Sequence, residues 1–121
     1  MWYSYLSAEL DDNDAVVAQV TTDQQSSWYC GHFPEDPILP GIAQLHMVSA
    51  TIAKVLKKDL ILQNLTRIKF KKLIRPGDVL DIHAVPDKKK NQFAFRITSD
   101  QEAVCSGTLT LAPKEEIEKN S

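Results

Sequence analysis

The segment Gly31-His32-Phe33-Pro34-Glu35-Asp36-Pro37-Ile38-Leu39-Pro40-Gly41 places one imidazole in a stretch punctuated by prolines and closed by glycine at both ends. Prolines at 34, 37 and 40 exclude regular helix and central strand, so the segment reads as an ordered loop. Histidine, with an unperturbed pKa of about 6.5, accepts a proton at neutral pH. Rigid flanks hold it in place, as precise proton transfer requires. Pro40 suits the first turn of a helix, where its missing N–H costs nothing. A helix that starts at Pro40-Gly41 presents free backbone N–H groups, which stabilise an enolate-like oxygen. Glycine at 41 lets one of those N–H groups approach a ligand closely. The chemistry these residues suit is removal of a proton from a carbon beside a polarised carbonyl. A second histidine, His46, lies in the apolar stretch that follows.

The elements that position this loop can be read from the pattern around it. From Gly41 to Ala53 no residue is charged, and Gln44, His46, Ser49 and Thr51 are scattered rather than gathered on one face. That predicts a buried helix, apolar nearly all round. Lys54, Lys57 and Lys58 fall at its C-terminal end, where cations suit the helix dipole. Before the loop, Ala15 to Val20 is a strand. After the helix, Leu65 to Lys72, Val79 to Val85, Gln92 to Thr98 and Ala103 to Leu111 read as strands, with the clearest alternation at Phe93, Phe95 and Ile97. Arg75-Pro76-Gly77-Asp78 and Asp87 to Asn91 are turns. One buried helix and a run of antiparallel strands predict an α+β fold, a sheet curled around a helix. An exposed edge strand in such a sheet invites a second copy, so a homodimer is expected. The opening aromatics Trp2, Tyr3 and Tyr5 suit either a strand or an interface.

At 121 residues the chain fits one domain, residues 1–121, with a polar tail over about 113–121. A composition 43% hydrophobic and 25% charged is that of a globular protein. The net charge of -2 supplies no electrostatic case for nucleic acid or an anionic membrane. No stretch approaches the roughly 20 apolar residues that span a bilayer. Two cysteines, Cys30 and Cys105, make no disulfide framework, and the start lacks the basic and apolar segments of a signal peptide. The expectation is a reduced, cytoplasmic protein.

The Gly31–Gly41 segment resembles the active-site loop of the hotdog-fold 3-hydroxyacyl-(acyl-carrier-protein) dehydratases, the FabA/FabZ-like family. Ile68-Lys69-Phe70-Lys71-Lys72-Leu73-Ile74-Arg75-Pro76-Gly77-Asp78 is similar to that family's second hallmark, a strand feeding a Pro-Gly-Asp turn. The resemblance runs from about Tyr29 to Leu111. Gly41-Ile42-Ala43-Gln44-Leu45 resembles a sub-branch associated with aryl-polyene-type pigment lipids. The resemblance implies a hydro-lyase acting on 3-hydroxyacyl thioesters of acyl carrier protein or coenzyme A, with no cofactor and no metal. It implies His32 as the base, the Gly41 N–H as the carbonyl donor, and Phe33, Pro40 and Ile42 against the substrate. In the family the two catalytic side chains come from different subunits, so activity needs a dimer. Members carry Glu or Asp fourteen residues after the loop histidine, to manage the leaving hydroxyl; this chain has His46 there. Four residues further on, where Gln is common, it has Ala50.

Plainer readings stand beside these. His32 alone could pack the loop. His46 is either a satisfied core histidine or a participant in proton transfer. His83 reads as surface, and Cys30 as pocket lining rather than a nucleophile. Glu35 and Asp36 form a solvated turn, or orient His32. The lysines at 54, 57, 58, 69, 71 and 72, with Arg75, are either ordinary solvated cations or a rim that steers an acidic carrier protein. Phe93, Phe95 and Leu80 are core first and acyl-tunnel lining second. The departure at His46 keeps two alternatives open: a non-catalytic or partner-dependent acyl-binding subunit, and a thioesterase drawing on Glu35 or Asp36.

Overall fold

A computed structural model describes residues 3–22, 41–75 and 77–114. The elements are β1 (Tyr3–Leu10), β2 (Val16–Thr22), α1 (Gly41–Leu56), β3 (Leu60–Phe70), β4 (Val79–Pro86), β5 (Gln92–Ser99) and β6 (Glu102–Pro113). The strands form one antiparallel sheet in the order β1-β2-β4-β5-β6-β3. Its inner face follows from alternation. Val16, Ala18 and Val20 of β2, Leu80, Ile82 and Ala84 of β4, and Phe93, Phe95 and Ile97 of β5 are all buried. They meet Ala43, Leu45, Met47, Val48 and Ile52 of α1 in a single apolar cluster. Burying each of the larger side chains contributes about 1.5–3 kcal/mol.

Turn chemistry closes the sheet. Asp100 and Gln101 both have positive φ, 53° and 67°, the backbone a tight β5–β6 hairpin needs. Gly77, at φ 89°, forms the turn into β4, and its N–H reaches the Thr22 carbonyl at 3.2 Å and the Thr22 hydroxyl oxygen at 3.0 Å. That turn is thereby tied to the end of β2. The helix ends on Lys57, at φ 55°: the Lys58 N–H bonds to the Ala53 carbonyl and the Lys57 N–H to the Lys54 carbonyl. This is a Schellman stop, in which a left-handed residue lets the last carbonyls find donors.

Two expectations need correction. The strand expected at Leu65 to Lys72 begins at Leu60 and ends at Phe70. Leu60-Ile61-Leu62 has no alternation of its own; pairing with Pro113, Ala112 and Leu111 makes it strand. The helix, expected to be enclosed on all sides, is open along one stripe. Ile42, His46, Ala50 and Lys54, four residues apart, are exposed, while Ala43, Leu45, Met47, Val48, Thr51 and Ile52 are buried. The sheet curls far enough to bring both of its edge strands, β1 and β3, against α1. It does not close over the helix between those edges. His46 is therefore not a core histidine. The opening segment is settled as strand from Tyr3 onward.

A bulge shapes the β3 edge. Arg67 has φ 57°, the β3–β6 register shifts between Thr66 and Lys69, and Ile68 lies directly over Gly107 of β6. A Cβ at 107 would overlap Ile68 Cδ1 and stand 3.1 Å from the Ile68 Cα, which is backbone and cannot swing away. Gly107→Ala is therefore expected to destabilise the fold by about 1–3 kcal/mol, as overpacking does. A lowered urea midpoint with an unchanged m-value checks this.

Candidate active site

Gly41 begins α1, so its N–H has no partner within the helix. The ring of Phe70, from the end of β3, packs onto it: a Cβ at 41 would stand 2.7 Å from Phe70 Cζ. Glycine here leaves room for that ring, which is itself half exposed. Ile42, the next residue, is 50% exposed. His46 follows one turn later on the open stripe, about 7.5 Å along the axis from Gly41 at 1.5 Å per residue.

His46 opens onto a cavity of about 460 Å³ between α1, the start of β1 and the start of β3. Tyr3, Met47, Ala50, Leu60, Ile61 and Leu62 line most of it, with Ser49 beside His46. The volume lies in the range of small-molecule pockets, roughly 300–1,000 Å³. Ser49 Oγ donates to the His46 carbonyl at 3.0 Å. Two strands from opposite edges of one sheet contribute to this wall only because the sheet curls around the helix. Sequence reasoning therefore did not anticipate Leu60 to Leu62, and it left Tyr3 without a side.

Of the expected site residues, Gly41, Ile42 and His46 share the N-terminal half of α1. His32, Phe33 and Pro40 lie outside the described residues, as do Cys30, Glu35 and Asp36. His83 sits mid-strand opposite Val17 and Arg96, and does not line the cavity. Phe93, Phe95 and Leu80 are core, at 5%, 4% and 0% exposure, and none lines it either. Lys72 is held by Glu102 at 2.9 Å. Among the described residues no three His, Cys, Asp or Glu side chains cluster to hold a metal, and no helix is long and apolar enough to cross a membrane.

Cys105, opposite Phe70 in the β3–β6 ladder, is buried, and burial pushes its thiol up to about 11 from 9.0. The folded chain therefore holds this proton more tightly than the unfolded chain. The resulting stability is complete below about pH 9 and is lost as pH rises toward 11. The urea midpoint is expected to fall across that window, and Cys105→Ala to make the fall shallower.

A family model described as "ApeI-like: ApeI dehydratase" matches residues 8–108 of this chain, a span that covers β2 to β5 whole and most of β6. The chain belongs to the ApeI-like dehydratase family. Among curated proteins it is similar to the 3-hydroxyacyl-[acyl-carrier-protein] dehydratase FabZ of Rickettsia akari, at 25% identity over 88% of this chain and 81% of that protein. Among solved structures it is similar to the dehydratase heterocomplex ApeI:P from Xenorhabdus doucetiae. There the TM-score is 0.80 at 28% identity, covering 93% of this chain and 99% of that one. A protein from Erwinia carotovora subsp. atroseptica gives a TM-score of 0.79 at 27% identity, over 95% and 99%. One helix against a six-stranded antiparallel sheet, with these neighbours, is the α+β hotdog fold. The family's function is dehydratase-like.

Proposed function

We propose that this chain, as a single hotdog domain over residues 1–121, dehydrates a 3-hydroxyacyl thioester carried by acyl carrier protein. The observation that carries the reading is His46, exposed in a largely apolar cavity on the helix that begins at Gly41, in a chain of a dehydratase family. His32 takes the C2 proton. The Gly41 N–H stabilises the enolate oxygen that develops, at the positive end of α1. The C3–O bond then breaks, and His46, in the position of the family's usual acid, gives its proton to the departing hydroxyl, which leaves as water. His32 returns its proton to solvent and His46 takes one up, so the cycle balances. Phe33, Pro40 and Ile42 flank the acyl thioester.

The open stripe Ile42-His46-Ala50 supports a homodimer in which a second protomer covers it, since uncharged helix surface of this kind is seldom left bare. The similarity to acyl-carrier-protein dehydratases supports a carrier-bound substrate, and a cytoplasmic setting follows from that chemistry. A second reading, a partner-dependent subunit, is favoured by the imidazole at 46 where the family carries a carboxylate, and by the likeness to a dehydratase heterocomplex. The deciding experiment incubates the pure chain with a 3-hydroxyacyl thioester and follows enoyl formation and free thiol together. Enoyl product is the expected result. Thiol release without enoyl indicates a thioesterase, and neither, with acyl binding retained, indicates the partner-dependent subunit.

A further inference from the structure

Past His46 the cavity continues along the helix. His46 and Ala50 lie one turn apart on α1, about 6 Å along its axis. Both are exposed on the open stripe and both line the cavity of about 460 Å³. Ile42, one turn before His46, is equally exposed but is not part of its wall. The space therefore lies on the C-terminal side of His46, away from Gly41. Opposite Ala50 stand Leu60, Ile61 and Leu62 from the start of β3, all apolar. Alanine, with a single methyl group, leaves the gap between helix and strand open at this point.

The order of the reacting groups gives the cavity a direction. With the thioester carbonyl, C1, at the Gly41 N–H and the C3 hydroxyl at His46, the acyl group runs from C1 to C3 toward the C-terminal end of α1. The carrier arm leaves C1 the opposite way. Carbons from C4 onward then continue over Ala50 and against Leu60 to Leu62. A cavity of about 150 Å³ is enough for a benzene ring, so the space here holds a tail of several carbons. We infer that Ala50 is a specificity-determining residue: its small side chain keeps the cavity open past C3, so the protein prefers 3-hydroxyacyl groups whose tail extends over it to those that stop at C4. The inference rests on the dehydratase reading and names the kind of acyl group the same site takes. Leucine at 50 would place an isopropyl group in the path of the tail. Because residue 50 is exposed rather than packed in the core, that side chain fills the cavity without overpacking the interior.

The test compares enoyl formation from 3-hydroxybutyryl- and 3-hydroxyoctanoyl-pantetheine thioesters. Affinities for butyryl- and octanoyl-pantetheine amides, which cannot react, are measured in parallel. The wild type is expected to favour the longer substrate by about 10- to 200-fold in kcat/KM, the span from partial to full burial of the added methylenes at about fourfold each. Ala50→Leu is expected to cut that preference to about threefold or less, whereas general damage to the fold lowers both rates alike. Ala50→Val, a smaller addition, is expected to cut it part-way, and serves where the leucine variant fails to fold. A preference that survives undiminished in the folded variants overturns the inference. Equal rates on both substrates in the wild type also overturn it, and leave the dehydratase reading standing. If the wild type forms no enoyl product but binds the octanoyl amide more tightly, and Ala50→Leu abolishes that difference, the dehydratase reading falls and Ala50 keeps its role. If it forms none and binds the two amides equally, both fall.

Discussion

His32→Ala is expected to lower enoyl formation from a 3-hydroxyacyl thioester by about 10²–10⁴-fold, the usual contribution of one positioned acid–base group. The C2 hydrogen of a thioester is only weakly acidic, so its removal needs a base at hydrogen-bond distance and a donor on the carbonyl together. The Gly41 N–H remains in the variant, and residual activity should reflect that donor and binding alone. A saturated acyl-pantetheine amide, an unreactive analogue with an amide in place of the thioester, should bind the variant as it binds the wild type, because alanine at 32 removes a proton acceptor and leaves the cavity of α1, β1 and β3 intact. Initial rates of enoyl absorbance, with a melting curve to confirm folding, measure the effect. Turnover at the wild-type rate in this variant would remove His32 as the base.

The second large effect belongs to His46. If the imidazole supplies the proton that the hydroxyl takes as it leaves, His46→Ala is expected to slow dehydration by about 10²-fold or more. His46→Glu restores the family's carboxylic acid at the same point on the open stripe and should keep activity within about tenfold of wild type. The side chain is exposed in the cavity, so either substitution costs little stability, and melting midpoints should move by no more than a few degrees. A rate well above wild type in His46→Glu would mean that the native imidazole is not a working acid. That outcome favours the partner-dependent reading, in which another subunit brings the missing group.

Much of the architecture was legible because it rests on local periodicity. Phe93, Phe95 and Ile97 alternate with Ala94 and Arg96, and the strand they predict lies within a residue of the observed Gln92–Ser99. Proline 40 before an uncharged run predicts the helix start, and the helix begins at Gly41. Leu60-Ile61-Leu62 was not legible. A short apolar run carries no period, and only its ladder with Leu111 to Pro113 makes it strand. The Arg67 bulge was equally hidden, since the contact that accompanies it, Ile68 over Gly107, is made with another strand.

The candidate site divides in the same way. The Gly31–Gly41 loop, the glycine at the helix start and the histidine at 46 are contiguous in sequence, so their types and spacing spoke for proton transfer beside a helix N-terminus. That His46 is exposed rather than packed could not be read there, because the helix composition is uncharged all round and does not say which side the sheet leaves open. The pairing of Tyr3 with His46 across one cavity was also out of reach. Forty-three positions separate them, and only the curl of a six-stranded sheet brings its first strand to the helix that follows the second. Periodicity and proline are local constraints and act residue by residue; which faces meet is decided by how the whole apolar surface is buried at once.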